Sequence, residues 1–377
     1  MTGYQMKIGI ITVNKSANYG GVLQAYATTK FANKFGDAEL IDYDNSHVKT
    51  NLRLIRFGCT FRDMFRMAKD LLRLLSKRKA LKKFNAFFSE HLISSPTYSR
   101  QDLYAGAASH YDVYVSGSDQ IWNPGCISHV GEIDPVYFLD FVPNGKKKIS
   151  YASSLGSFLP DQAEAARMKK YLEGYSAISL REAGSASVIS NIVGVKAKPV
   201  LDPCFLLTRQ QWDELIKPEG LECRCVEYIA VYFLKVGEAE KRLVKELASR
   251  TGYEVWFLSL DIATGLKADK YIRTAGPVEF LSFIRNSKMV VTNSFHGTVF
   301  SLIYNIPFFV SSPPTGSNRI ENILQLCEAE NRLFTEFSSP IDIDDALLVN
   351  GVSDKGYLNL MAERDESIRF FTEAMQL

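Results

Sequence analysis

The sequence predicts an α/β protein of two domains, each built on a mostly parallel sheet with helices on both faces. Three observations predict it. The chain is 377 residues long and 46 % hydrophobic, enough for two cores rather than one. Short β-branched runs alternate with helix-like stretches in both halves, the pattern of strands joined by helical crossovers. The periodicity breaks near VLDPCFLL (Val200–Leu207), where Asp202 and Pro203 mark the boundary.

In the first half, KIGIITV (Lys7–Val13), ELIDY (Glu39–Tyr43), YDVYVSG (Tyr111–Gly117), KKISYASS (Lys147–Ser154) and AISLRE (Ala177–Glu182) read as strands. In the second half, EYIAVYFLK (Glu227–Lys235), YEVWFLSL (Tyr253–Leu260), KMVVTNS (Lys288–Ser294) and PFFV (Pro307–Val310) do so. EAEKRLVKELASRT, VEFLSFIRNS and TVFSLIYN separate them as helices. The expected division is 1–202, with a basic helical insertion at about 51–90, then 203–350, then 351–377. In the last of these, Asp354–Met375 forms a terminal helix that packs back towards the first domain. In the insertion, Phe61, Met64, Phe65, Ala68, Leu71, Leu72 and Leu75 recur at helical spacing. Arg62, Arg66, Lys69, Arg73 and Lys77 occupy another face, and Lys79, Lys82 and Lys83 extend the charge through residue 83. Such a helix lies on anionic lipid headgroups, receives an acidic, lipid-linked substrate, or is a solvated helix whose apolar side covers the first domain.

The net charge of +2 excludes a nucleic-acid binder that works by bulk electrostatics. Cys59, Cys126, Cys204, Cys223, Cys225 and Cys327 show neither CxxC spacing nor a histidine pattern, which argues against structural zinc and a disulfide framework. With no leader-like start and no apolar run near membrane-spanning length, a cytoplasmic protein is expected, with possible attachment to the inner face of the membrane.

Three loops carry chemistry. VYVSGSDQIWNP (Val113–Pro124) leads a strand into a polar loop: Ser116 and Ser118 offer hydroxyls, Asp119 a carboxylate and Trp122 a face on which sugars stack. The alternative is a tight turn, with Asp119 as a helix N-cap and Trp122 as a core anchor. NKSANYGGVLQAYA (Asn14–Ala27) sets Gly20 and Gly21 at a helix start, a place for an anion or simply for turn glycines. Asp42 stands where a dinucleotide fold keeps its ribose-binding acid, but the loop is not GxGxxG. NSFHG (Asn293–Gly297) puts His296 after a strand, where open parallel sheets collect ligands and imidazole suits acid–base work. Arg181 and Glu182 end another strand and either pair with each other or face a polar cleft.

VSGSDQIWNP, SYASSLG, ISLRE, VLDP and NSFHGTVFSLIYNIPF, in this order and flanked by NYGGVLQAY and GSNRIENIL (Gly316–Leu324), resemble the polysaccharide pyruvyl transferase family over roughly Lys7 to Leu326. The resemblance implies two Rossmann-like domains facing across a cleft, as in GT-B glycosyltransferases. It also implies transfer of pyruvate from phosphoenolpyruvate, as donor substrate and without a separate cofactor, to a sugar of a cell-surface polysaccharide or its lipid-linked precursor. Arg181 then matches a phosphoenolpyruvate-binding arginine and His296 the catalytic histidine. Some members carry Arg-Leu-His at that loop; here Ser294 replaces the arginine, and Arg319 or Lys235 is the expected substitute cation, Arg319 preferred. His296 is the expected acid and later base, assisted by Asp119 or Glu182. Gly20 and Gly21 offer a second anion site, and Ser116, Trp122, Asn123 and Tyr151 line the acceptor side. No metal is expected. A nucleotide-sugar glycosyltransferase of GT-B type and a non-catalytic sugar-binding relative remain alternatives, and no motif fixes an oligomeric state.

Overall fold

Strands that read as continuous Val, Ile and Phe runs are buried on both faces, which is the condition of a central parallel strand. A computed structural model of the chain describes residues 5–55, 60–216, 226–262, 264–311, 318–335 and 343–376. Cys59, Cys223, Cys225, Gly316 and Ser317, named above, lie outside the described residues, as do the side chains of residues 61–63 and of Asn318.

The chain forms two units. The first comprises Met1–Leu52, Phe88–Leu207 and Ala362–Leu377; the second comprises Arg53–Phe87 and Thr208–Met361. In the first unit the strands are β1 (Lys7–Ile11), β2 (Asp37–Leu40), β3 (Val113–Ser116), β4 (Lys147–Ser150) and β5 (Tyr175–Ala177), in spatial order β2-β1-β3-β4-β5. All pairs are parallel, with Ile8 beside Val113 and Val115 beside Ile149. This is the order of the flavodoxin-like doubly wound sheet, which reverses direction between β1 and β3. AISLRE, expected as one strand, divides at Ile178: β6 (Ser179–Leu180) leaves the sheet to pair with β7 (Lys198–Pro199).

In the second unit the strands are β8 (Tyr228–Tyr232), β9 (Glu254–Leu258), β10 (Lys270–Ile272), β11 (Met289–Thr292), β12 (Phe308–Ser311) and β13 (Leu333–Phe334). Their order, β10-β9-β8-β11-β12-β13, is again parallel throughout. Renumbered from the unit's own start, it is the Rossmann order, which reverses between β8 and β11. The short edge strands β10 and β13 escape the sequence pattern because neither carries a long apolar run.

Two expectations about the division change. The insertion belongs to the second unit rather than the first. Its helix Leu74–His91 lays Lys83 against Gly276, where an added Cβ would meet the Lys83 Cβ at 2.6 Å, and Lys83 pairs with Glu279 at 2.5 Å. The insertion is also two helices, Phe61–Leu72 and Leu74–His91, not one. The terminal helix runs Asp354–Gln376, and from Ala362 on it belongs to the first unit. There the fully buried Phe371 meets Phe31 at 5.3 Å and Tyr151 at 4.9 Å between ring centroids, and Ser367 Oγ accepts the Leu201 N–H.

Phe371 is therefore the residue that fastens the end of the chain. Phe371→Ala is expected to cost the first unit about 3–5 kcal/mol through the cavity it leaves. A lower urea midpoint checks this, and an unchanged midpoint would show that the terminal helix is dispensable.

Candidate functional site

Ligands of open parallel sheets gather outside the carboxyl ends of the strands, where the strand order reverses. In the first unit the loops leaving that point are the glycine loop after β1 and the Asp119 loop after β3. Asn18 caps the helix Tyr19–Ala32, its Oδ1 accepting from the N–H groups of Gly20 at 3.0 Å and Gly21 at 3.3 Å. The anion site expected at Gly20 and Gly21 is thus occupied by the chain's own side chain, because asparagine is among the strongest N-caps. A Cβ on Gly21 would stand 3.6 Å from Asp119 Oδ2 and 3.4 Å from Ser16 Oγ, ordinary contacts that show the Asp119 carboxylate lying against the helix start.

Asp119 adopts a left-handed backbone, φ 71°, and its Oδ1 accepts the Gln120 N–H at 2.9 Å. No helix starts there, so the N-cap alternative fails; Asn123 caps the short helix Pro124–Ile127 instead. A non-glycine residue at such a φ is strained and is held by its surroundings. Main-chain bonds from Ser154 N–H to Asp119 O and from Trp122 N–H to Ser154 O hold this loop to the one after β4.

Arg181, directly after β6, gathers three carboxylates. Its Nε lies 3.2 Å from Glu182, its Nη1 3.1 Å from Asp202 and its Nη2 3.6 Å from Asp119, and its side chain is 2 % exposed. Burial works against the charge, but Glu182, Asp119 and Asp202 outweigh it and hold the guanidinium above the ordinary arginine range. Ser154 and Ser185 donate to Glu182, and Asp202 Oδ1 accepts the Cys204 N–H. The internal-pairing alternative therefore describes Arg181 in this structure, and an open clamp for an anionic donor does not: an anion there would face three carboxylates.

The expected acceptor-side residues are corrected too. Trp122 is fully buried, stacks on Phe138 at 4.9 Å and donates its indole N–H to Tyr137 O. Ser116 is fully buried and donates to the same carbonyl, while the Tyr151 hydroxyl donates to Leu201 O. Asn123 is occupied with Gly125 and Gln120. Each polar atom satisfies the fold, since an unpaired one in the core would be costly. Of that loop, Asp119 alone reaches the charged cluster.

In the second unit the reversal point is flanked by the loops after β8 and β11. Asn293 staples them: its Oδ1 accepts the Leu234 N–H and its Nδ2 donates to Lys235 O, both at 2.7 Å. Thr292 Oγ1 donates to Tyr232 O at 2.6 Å and accepts the Ser294 N–H at 3.0 Å. Ser294 stands at the N-cap of the helix Phe295–Tyr304 without capping it through its side chain. Its hydroxyl bonds to Tyr232, whose phenol burial pushes up and this bond lowers. Gly297 is required, because a Cβ would meet Thr292 Oγ1 at 2.4 Å. His296, in the first helical turn, is 8 % exposed. The Phe295 ring lies 5.3 Å from the His296 ring and 5.7 Å beneath the Arg319 guanidinium carbon, so one aromatic side chain touches both. Arg319 opens the helix Asn318–Leu326, and Lys235 is exposed on the stapled loop. The second unit thus brings together His296, Ser294 and Arg319, with Lys235 exposed on the stapled loop. Asn293, the staple, was missed in the sequence, although its place directly after an apolar strand was the available signal.

The polysaccharide pyruvyl transferase family model matches residues 18–313. Among curated proteins, none matches the sequence. Of solved structures, a protein assigned as a UDP-N-acetylglucosamine 2-epimerase from Listeria monocytogenes is similar with a TM-score of 0.51 and 10 % identity, over 97 % of this chain and 91 % of that one. UDP-N-acetylglucosamine 2-epimerase from Rickettsia bellii gives 0.50 and 10 %, over 99 % and 98 %. At such identities the likeness shows the fold: two Rossmann-like lobes of the GT-B type.

Arg181→Met leaves Asp119, Glu182 and Asp202 buried together without their cation. Urea unfolding at neutral pH is expected to show a loss of about 3–5 kcal/mol. The loss should shrink as the pH falls, because crowded carboxylates take up protons more readily folded than unfolded. Wild type should lack this acid recovery of stability, since an arginine held above its ordinary range contributes fully at every lower pH. A deficit that does not change with pH would sink the account.

Proposed function

The chain belongs to the polysaccharide pyruvyl transferase family and is a transferase, and from that premise we propose that it moves pyruvate from phosphoenolpyruvate to a sugar of a cell-surface polysaccharide or its lipid-linked precursor, as a ketal. One observation carries the reading: His296 and Arg319 share the Phe295 ring at the strand-order reversal of the second sheet, with Lys235 on the adjoining loop. A proton donor beside two cations suits a small donor with a carboxylate and a phosphate.

The residues divide the work as follows. Arg319 and Lys235 hold the donor's two anionic groups, in place of the arginine that Ser294 replaces. His296 protonates the methylene carbon, and the adjoining carbon becomes oxocarbenium-like. A first sugar hydroxyl adds there and gives up its proton; phosphate then leaves, and a second hydroxyl adds to close the ketal, releasing its own proton. Having given up its own proton, His296 takes up the hydroxyl protons in turn as base. Arg181 acts as a positioning residue: it holds Asp119 and Glu182 in place and leaves donor binding to the second unit.

The solved structures favour a second reading. Both relatives named above act on a UDP-sugar, and a nucleotide sugar is the donor that their fold supports better than it supports phosphoenolpyruvate. Family membership speaks for pyruvyl transfer, and a paired experiment separates the two. Labelled phosphoenolpyruvate and a labelled UDP-sugar are each incubated with the protein and a lipid-linked saccharide. Label passing to the saccharide from phosphoenolpyruvate, with inorganic phosphate released, supports the proposal; label from the UDP-sugar alone overturns it.

Phosphoenolpyruvate is expected to raise the melting temperature of wild type but not of Arg319→Ala. His296→Ala should keep that thermal response and lose about 10²- to 10⁴-fold in turnover. Stabilisation by UDP and none by phosphoenolpyruvate would instead favour the second reading.

A further inference from the structure

The inserted helices present the wrong face to water. Residues 61–83 hold nine of the chain's 44 Lys and Arg but two of its 42 Asp and Glu, which leaves the segment at +7 and the remainder at −5. Met64, Phe65, Leu71, Leu72 and Leu75 are 62, 65, 57, 72 and 75 % exposed. Met64, Ala68, Leu71, Leu72 and Leu75 follow i, i+4, i+7, i+8 and i+11, so they form one stripe, and Phe65 borders it. From Asp70 to Lys77 the inward side is polar, while farther along the second helix Ala80, Leu81 and Phe84 are buried. Asp70 is fully buried and bonded by Arg73, and Lys77 is buried and donates to Arg53 O at 2.5 Å. A helix that only covers its own protein does the reverse, hiding leucine and showing lysine.

The exposed stripe is bordered by cations. Lys69 and Arg73 continue the Phe65 row at i+4 and i+8, and Arg66, Arg78, Lys79 and Lys82 are exposed along the same pair of helices. We propose that this face docks on an anionic lipid bilayer, with Met64, Phe65, Leu71, Leu72 and Leu75 entering the boundary between headgroups and acyl chains and the basic residues meeting headgroup phosphates. Charge complementarity selects this occupant. A second copy of the chain would set +7 against +7 in a self-complementary interface, whereas an anionic surface meets the charge and accepts the apolar stripe together. The mode is surface attachment: among the described residues no helix is long and apolar enough to cross a membrane. The proposal does not depend on which donor the enzyme uses.

The test sediments the full-length protein with vesicles of phosphatidylcholine alone and with vesicles that also contain phosphatidylglycerol. Binding is expected to the second kind only, and to weaken as salt rises. Phe65→Ser/Leu72→Ser/Leu75→Ser and, separately, Arg78→Glu/Lys79→Glu/Lys82→Glu should each lower the vesicle affinity by at least about tenfold. Circular dichroism and the melting temperature should not change, because the altered side chains are exposed. Three outcomes would overturn the proposal: no binding to anionic vesicles, variants that bind like wild type, or a dimer in sedimentation velocity that the serine variant abolishes while vesicle binding is absent. The last would assign the face to a second copy.

Discussion

One buried guanidinium governs the functional end of the first unit. Asp119, Glu182 and Asp202 come from three different loops, and each carboxylate would repel the others in a site with little water. Arg181 meets all three, so the loops after β3 and β6 and the turn at Asp202 are held by a common counter-ion. Main-chain bonds reinforce it: Arg181 N–H donates to Ser153 O, and Ser154 N–H donates to Asp119 O. The left-handed backbone of Asp119 is tolerable because these partners fix both its ends. An ion cluster of this kind adds little net stability, since desolvation offsets most of the attraction, but removing its centre is costly. Of the three carboxylates it leaves Asp119 the most exposed, at 17 %.

The second unit solves the same topological problem with neutral bonds. Asn293 and Thr292 tie the loops after β8 and β11 with amide and hydroxyl groups rather than with an ion cluster. The contrast has a chemical consequence. Excess negative charge surrounds the reversal point of one sheet, while Arg319, Lys235 and His296 stand at that of the other. Anions are favoured at the second reversal point and disfavoured at the first.

Much of this was legible in the sequence, and the limits have physical causes. Parallel strands announce themselves as unbroken apolar runs, so the sheets, the helices between them and the address of His296 could be read directly. Gly297 and His296 stayed in register because a helix must start where the strand ends, with no room for a Cβ. Trp122, Ser116 and Tyr151 misled because hydroxyls and an indole N–H look equally available whether they face a ligand or a main-chain carbonyl. That choice is made by partners far along the chain, such as Tyr137 and Leu201. Gly20 and Gly21 misled for a closer reason: the asparagine two residues before Gly20 competes for the same amides, and an intramolecular cap forms without the entropy loss of binding a ligand.

The inserted helices show where local pattern reaches its limit. Helical spacing assigned an apolar and a basic face but could not say which turned inward, since amphipathicity is symmetric to that choice. The decision rests on distant contacts. Lys83 seats against Gly276, and Ala80, Leu81 and Phe84 of the helix Leu74–His91 are buried, which fixes its inward side. The side toward Arg53 then receives Lys77, whose ammonium finds a carbonyl there, while Leu75, two positions earlier, is carried outward. An exposed leucine stripe is thus fixed by specific polar and steric contacts at its back. Contiguous exposed apolar patches of this kind mark interaction surfaces in soluble folds.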